Sequence, residues 1–84
     1  MDFTKLNEAI AREFDVPVDA ISPEKNIRRT LDLDSMRAMT LLVVVHKHTG
    51  IMIPPRHAPR LTTFQTLYDY IEQKRSSNNQ IVNN

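Results

Sequence analysis

The sequence predicts an all-α fold: a small four-helix bundle of three main helices and one short one, with a long loop between the first two main helices. Three observations predict it. Apolar residues recur at helical spacing in three separate segments. One glycine and an aromatic share of 6% argue against an all-β chain built on tight turns. All five prolines, at positions 17, 23, 54, 55 and 59, fall between the helical segments, where they break nothing.

The first helix covers roughly residues 3–14. Phe3, Leu6, Ile10 and Phe14 share one side, Lys5, Glu8, Arg12 and Glu13 lie mostly on the other, and Asp2 is placed to cap the start. The connection from Asp15 to Asp34 holds Pro17 and Pro23, yet also Val16, Val18, Ile21, Ile27, Leu31 and Leu33. So many apolar residues imply a loop pinned along the core, with one helical turn at Ser22-Pro23-Glu24.

Ser35 to Thr49 is the second main helix, closed by Gly50. At about 100° per residue, Met36, Met39, Leu42, Val43 and His46 fall on one side. Arg37, Thr40, Val44, Lys47 and His48 fall on the other. A strand over Leu41 to Val45 is the competing reading of the same apolar run. Ile51-Met52-Ile53 leads into the prolines as an extended link, and Pro59 limits any helix between Arg56 and Leu61 to about one turn. Thr62-Thr63-Phe64-Gln65 reads as a capping box from Thr62 to Gln65. Phe64, Leu67, Tyr68 and Ile71 then form the stripe of a last helix ending near Lys74. Residues 1–75 make one domain, and the polar, Asn-rich residues 76–84 read as a disordered tail.

At 84 residues the chain has room for one modest core. It has no cysteine, hence no disulfide, no zinc-thiolate site and no thiol nucleophile of its own. The N-terminus lacks a signal pattern and no apolar run approaches the length of a membrane span, so a cytoplasmic protein is expected. The net charge is +1, but unevenly spread. Acids prevail up to Asp34, whereas from Ser35 to Tyr68 there is no carboxylate, only Arg37, Lys47, Arg56, Arg60 and three histidines. His46 and His48 diverge by some 200° on a helix and do not chelate as an i, i+4 pair would. No metal site, catalytic residue or nucleic-acid surface is expected: four fixed bases without interleaved aromatics are thin support for the last.

The stretch Leu31-Asp32-Leu33-Asp34-Ser35-Met36 carries the strongest functional signal. Taken alone, Ser35 reads first as a helix N-cap, the commonest role of serine at such a place, with a displayed hydroxyl as the alternative. Together with Asp15-Val16 through Ile21, Ile27, Ile51-Met52-Ile53-Pro54, Thr62-Thr63-Phe64 and Asp69-Tyr70-Ile71, the sequence resembles the acyl carrier protein family from Phe3 to about Gln73. The resemblance implies a non-enzymatic carrier with 4′-phosphopantetheine esterified to Ser35 by a separate phosphopantetheinyl transferase, from coenzyme A. It also implies that Asp34 belongs to the transferase's recognition site, near that enzyme's metal ion. Cargo would retreat among Met39, Leu42, Val43, Ile53, Leu61 and Tyr70.

The chain departs from that family in charge. Housekeeping fatty-acid carriers usually present acids where this one has Arg37, Thr40, Val44, Lys47 and His48. That face is expected to dock acyl-loading, ketosynthase or acyltransferase enzymes with acidic or apolar surfaces, in a specialised lipid or polyketide pathway. Asp32 also stands where glycine is frequent. A peptidyl carrier and an unmodified interaction module are the alternatives; a monomer is expected in each case.

Overall fold

The computed structural model describes residues 2–82, with side chains to residue 77. It contains α1 (Thr4–Phe14), α2 (Ile27–Leu31), α3 (Ser35–Thr49) and α4 (Phe64–Val82), with 3-10 turns at Val18–Ala20 and Pro55–Arg60. No strand occurs among the described residues, and Leu41 to Val45 is helical. The fold is the small helical bundle that the spacing of apolar residues predicts.

α1 buries Leu6, Ala9, Ile10, Ala11 and Phe14, the i, i+4 stripe extended by two alanines. At its start the Asp2 carboxylate accepts from both the backbone N–H and the hydroxyl of Thr4, at 2.8 and 2.6 Å. At its end Asp15 turns left-handed, φ 56°, and the N–H groups of Asp15 and Val16 both reach the Ala11 carbonyl.

The long connection is pinned by Ile21, Ile27 and Leu31, all buried. It is also more ordered than its sequence indicates. Ser22 to Lys25 form a turn closed by Lys25 N–H on the Ser22 carbonyl at 3.0 Å. Next comes α2, capped by the Asn26 side chain, which accepts from Arg29 N–H at 2.8 Å. Five residues show only one apolar i, i+4 pair, Ile27 and Leu31, too short a pattern to stand out. Such a helix does not hold by itself; it is held because both side chains are core and because the connection is stitched to α4. Ile27 N–H donates to Thr62 O, Phe64 N–H to Lys25 O and Gln65 N–H to Pro23 O, at 2.9, 3.1 and 2.9 Å.

Those bonds shift the expected capping box by one residue. Thr62 has its carbonyl engaged by Ile27, and it is Thr63 that caps α4. Thr63 Oγ1 accepts from Thr66 N–H at 3.3 Å while Thr66 Oγ1 accepts from Thr63 N–H at 3.1 Å. α4 then buries Phe64, Leu67, Tyr68 and Ile71. It meets α1 where the Tyr68 hydroxyl donates to Asn7 Oδ1 at 2.6 Å and its ring stacks on Phe3. The helix runs beyond Lys74, through residues assigned from sequence to a disordered tail. Ser76 to Gln80 contains no proline or glycine to stop it, and Arg75 reaches the Thr49 carbonyl at 3.3 Å. Asn83 and Asn84 lie outside the described residues.

α3 packs on α1 and ends at Gly50, φ 76°, whose N–H returns to His46 O. Its buried residues are Leu41, Leu42, Val44 and Val45. This corrects the sequence-derived facing. Five consecutive apolar residues surround the helix, so periodicity does not choose a face; contact with α1 does. Val44 goes inside, while Val43 is 63% exposed.

Candidate functional site

The site is assembled from the end of α2, the turn after it and the start of α3. Asp32 ends α2 in the left-handed region, φ 53°, and the N–H groups of Asp32 and Leu33 both bond the Arg28 carbonyl. Asp34 is extended, and its carboxylate accepts from Arg37 N–H at 2.8 Å, so Asp34 is the cap of α3. Ser35 therefore is not the cap but the first residue of the helix. Its side chain is exposed and makes no hydrogen bond to any described residue. A capping serine would have its hydroxyl occupied; with Asp34 in that role the Ser35 hydroxyl is free.

Ser35 lines a groove of about 230 Å³. α3 contributes Ser35, Ala38, Met39 and Leu42; Pro55, Ala58 and Pro59 of the second 3-10 turn line it too, as do Arg28 and Leu33. Of the six residues expected to line an acyl pocket, Met39 and Leu42 are here. Val43 and Ile53 border a neighbouring depression of about 190 Å³, together with Met39, Leu42, His46, Met52 and Pro55. Leu61 and Tyr70 line neither. Tyr70 instead pairs its hydroxyl with His57 Nδ1 at 2.8 Å, fastening the 3-10 turn to α4. Partial burial holds the His57 imidazole below its ordinary pKa, with Arg60, Arg56 and Lys74 adding in the same direction.

The expected docking face is not one face. Val44 is 7% exposed and belongs to the core. The Arg37 guanidinium is turned back onto the Leu31 and Asp32 carbonyls, and Thr40 bonds the Met36 carbonyl. Only Lys47 and His48 are fully outward, beside Arg12 and Glu13 of α1. The surface that does stand open is apolar: Met36, Met39, Val43 and Met52 are 79, 48, 63 and 70% exposed. Clustered exposed apolar side chains mark interaction surfaces, and methionine adapts readily to a partner. From sequence Met36 falls on one side of the helix with Met39 and Val43 but is not assigned to docking, and Met52 is not assigned to it either. The signal was present, because a helix apolar on more sides than its neighbours cover must leave some of them in water.

Of the two carboxylates before Ser35, that of Asp34 is engaged in capping α3. Among the described residues no three His, Asp or Glu side chains gather where they could hold a metal ion, and no helix is long and apolar enough to cross a membrane.

Compared with known proteins, residues 4–71 match the family described as "Phosphopantetheine attachment site". Relatives named acyl carrier protein include that of Picosynechococcus sp., 32% identical over 76 residues, covering 90% of this chain and 94% of the relative. The acyl carrier protein of Micrococcus luteus is 31% identical, with 80% and 83% covered. That of Thermosynechococcus vestitus is 27% identical, with 83% and 86% covered.

Proposed function

The chain belongs to the phosphopantetheine attachment family of acyl carrier proteins, and from that membership we propose that Ser35 bears the arm and that the cargo serves a specialised lipid or polyketide route. Proteins of this family are carriers and not enzymes, and their prosthetic group is 4′-phosphopantetheine. The arm supplies the one thing that this chain lacks, a thiol able to hold an acyl group as a thioester.

The observation that carries the assignment to Ser35 is its free, exposed hydroxyl at the first position of α3, with Asp34 doing the capping. The charges around it are of both signs, the Asp34 carboxylate lining the same groove as Arg28. The start of α3 favours an anion by about 0.3–1 kcal/mol, and the Arg28 side chain borders the same groove. In the modification a transferase brings coenzyme A to Ser35 Oγ. The hydroxyl loses its proton, oxygen bonds to phosphorus, and 3′,5′-ADP leaves. Ala38, Met39, Leu42 and Pro55 offer the nearest apolar walls for cargo.

The test exploits the absence of cysteine. Incubation with coenzyme A and a broad-specificity phosphopantetheinyl transferase is expected to add the mass of one phosphopantetheine and one titratable thiol per chain. A protein that keeps its helicity but gains neither with several transferases is an unmodified interaction module.

The reading of a dedicated pathway rests on the surface beside the arm. Met36, Met39 and Val43 give an apolar docking patch, flanked by His46 and Lys47 where acids would suit a basic partner. A partner with an apolar centre and acidic rim fits it. Placing acids there with His46→Glu and Lys47→Glu is expected to improve acylation by a housekeeping fatty-acid synthase at least severalfold through the association rate. Unchanged acylation would remove charge mismatch as the basis for a separate pathway.

A further inference from the structure

Arg37 lies two residues after Ser35, and its half-buried guanidinium is turned back onto the backbone instead of standing outward. Its Nη2 donates to the Leu31 carbonyl at 2.9 Å and its Nε to the Asp32 carbonyl at 3.0 Å, with a longer contact from Nε to Leu31 O at 3.3 Å. The guanidinium carbon stands 5.0 Å from the centroid of the Phe14 ring. One side chain of α3 thus joins the end of α2, the turn after it and the end of α1.

The turn needs such a tie. The last carbonyls of a helix have no partner within it, and five-residue α2 has little cooperativity of its own. Asp32 also holds φ 53°, a conformation that glycine adopts freely and that aspartate tolerates at a smaller cost than most residues, as Asp15 does at φ 56° after α1. Gly50, which ends α3, meets the same demand without that cost. Two carbonyls converging beside a left-handed aspartate are matched by a planar cation that reaches both while its face rests on an aromatic ring.

We infer that Arg37 is a positioning residue: it clamps the Leu31–Asp32 turn and thereby sets the loop that presents Ser35 for modification. The inference rests on Ser35 being the attachment residue for its functional consequence. Its structural half stands without that reading. Arg37 in this role is withdrawn from partner docking, leaving the recognition of partners to the methionine patch and Lys47.

The reporters are the Asp32 and Leu33 amides, both bonded to the Arg28 carbonyl in the clamped turn. In Arg37→Met and Arg37→Lys, hydrogen exchange at these two amides is expected to quicken about tenfold, while amides in the middle of α1 and α4 keep their protection. Lysine keeps the charge but not the planar fork, so it should behave like methionine. With the transferase, both variants should raise KM for the carrier about two- to tenfold with kcat unchanged, because only the ordered fraction of loops is bound. Adding Asp32→Gly to Arg37→Met should restore part of the lost protection, since glycine needs no clamp to hold the turn. Unaltered exchange at Asp32 and Leu33 in Arg37→Met overturns the inference. So does an Arg37→Lys protein equal to wild type in exchange and KM, which would make Arg37 a simple charge contact. Protection that glycine does not restore would assign Arg37 to packing on Phe14 alone. Wild type that gains no phosphopantetheine would refute the Ser35 assignment and leave the exchange result to judge the clamp separately.

Discussion

Replacing Phe64 by alanine is expected to destabilise the protein by about 3–5 kcal/mol, the cost of a large aromatic removed from a core that closes only partly around the gap. Phe64 is fully buried at the first turn of α4, and its N–H is bonded to the Lys25 carbonyl. The side chain therefore sits where α4, α2 and the long connection are joined. Total stabilities of small domains run from about 5 to 15 kcal/mol, and a chain of this length belongs near the lower end. Thermal unfolding should fall by at least about 12 °C, at some 4–8 °C per kcal/mol, or show no transition. Met36→Ala is the matched control, because that side chain is 79% exposed; its change should stay within about 0.5 kcal/mol. Equal melting of the two variants would mean that the buried core has been wrongly identified.

Asp34 should separate two roles by charge. As a cap it accepts one hydrogen bond from Arg37 N–H, which asparagine can accept as well. As part of what the transferase recognises it must present a negative charge. Asp34→Asn is accordingly expected to keep stability within a few tenths of a kcal/mol while lowering transferase kcat/KM by roughly a hundredfold, the scale of a lost charged hydrogen bond. Asp34→Ala should show the same loss of modification plus about 1 kcal/mol of lost stability. If Asp34→Asn is modified as fast as wild type, Asp34 is a cap and nothing more.

These expectations depend on details that sequence discloses unevenly. α1, α3 and α4 were legible because each carries several apolar residues at helical spacing. α2 was not, because one turn displays a single pair, Ile27 and Leu31, and its order comes from distant bonds to Thr62 and from Arg37. Cap positions slipped by one where two capping types stand side by side: Asp34 before Ser35, and Thr63 after Thr62. Which of two neighbouring oxygens meets the free N–H groups is decided by how the incoming chain is held. The facing of α3 was hidden for another reason. Val43 and Val44 are chemically identical, and only the position of α1 buries one and exposes the other.

Of the candidate site, Ser35 and Asp34 were legible as a motif. Their division of labour was not, since either residue makes a sound N-cap on paper. Arg37 illustrates the limit most clearly. A basic residue beside the serine reads as a surface charge, whereas its bonds to the Leu31 and Asp32 carbonyls depend on the path of the backbone in three dimensions.

The central claim is that one free hydroxyl, that of Ser35, accepts the arm. Its most direct measurement is fragmentation of the transferase-treated protein in the mass spectrometer, alongside Ser35→Ala. The account predicts that the added phosphopantetheine maps to Ser35 alone, and that Ser35→Ala keeps its fold and gains neither mass nor thiol. Phosphopantetheine on Ser22, on a threonine, or on a folded Ser35→Ala protein would contradict it.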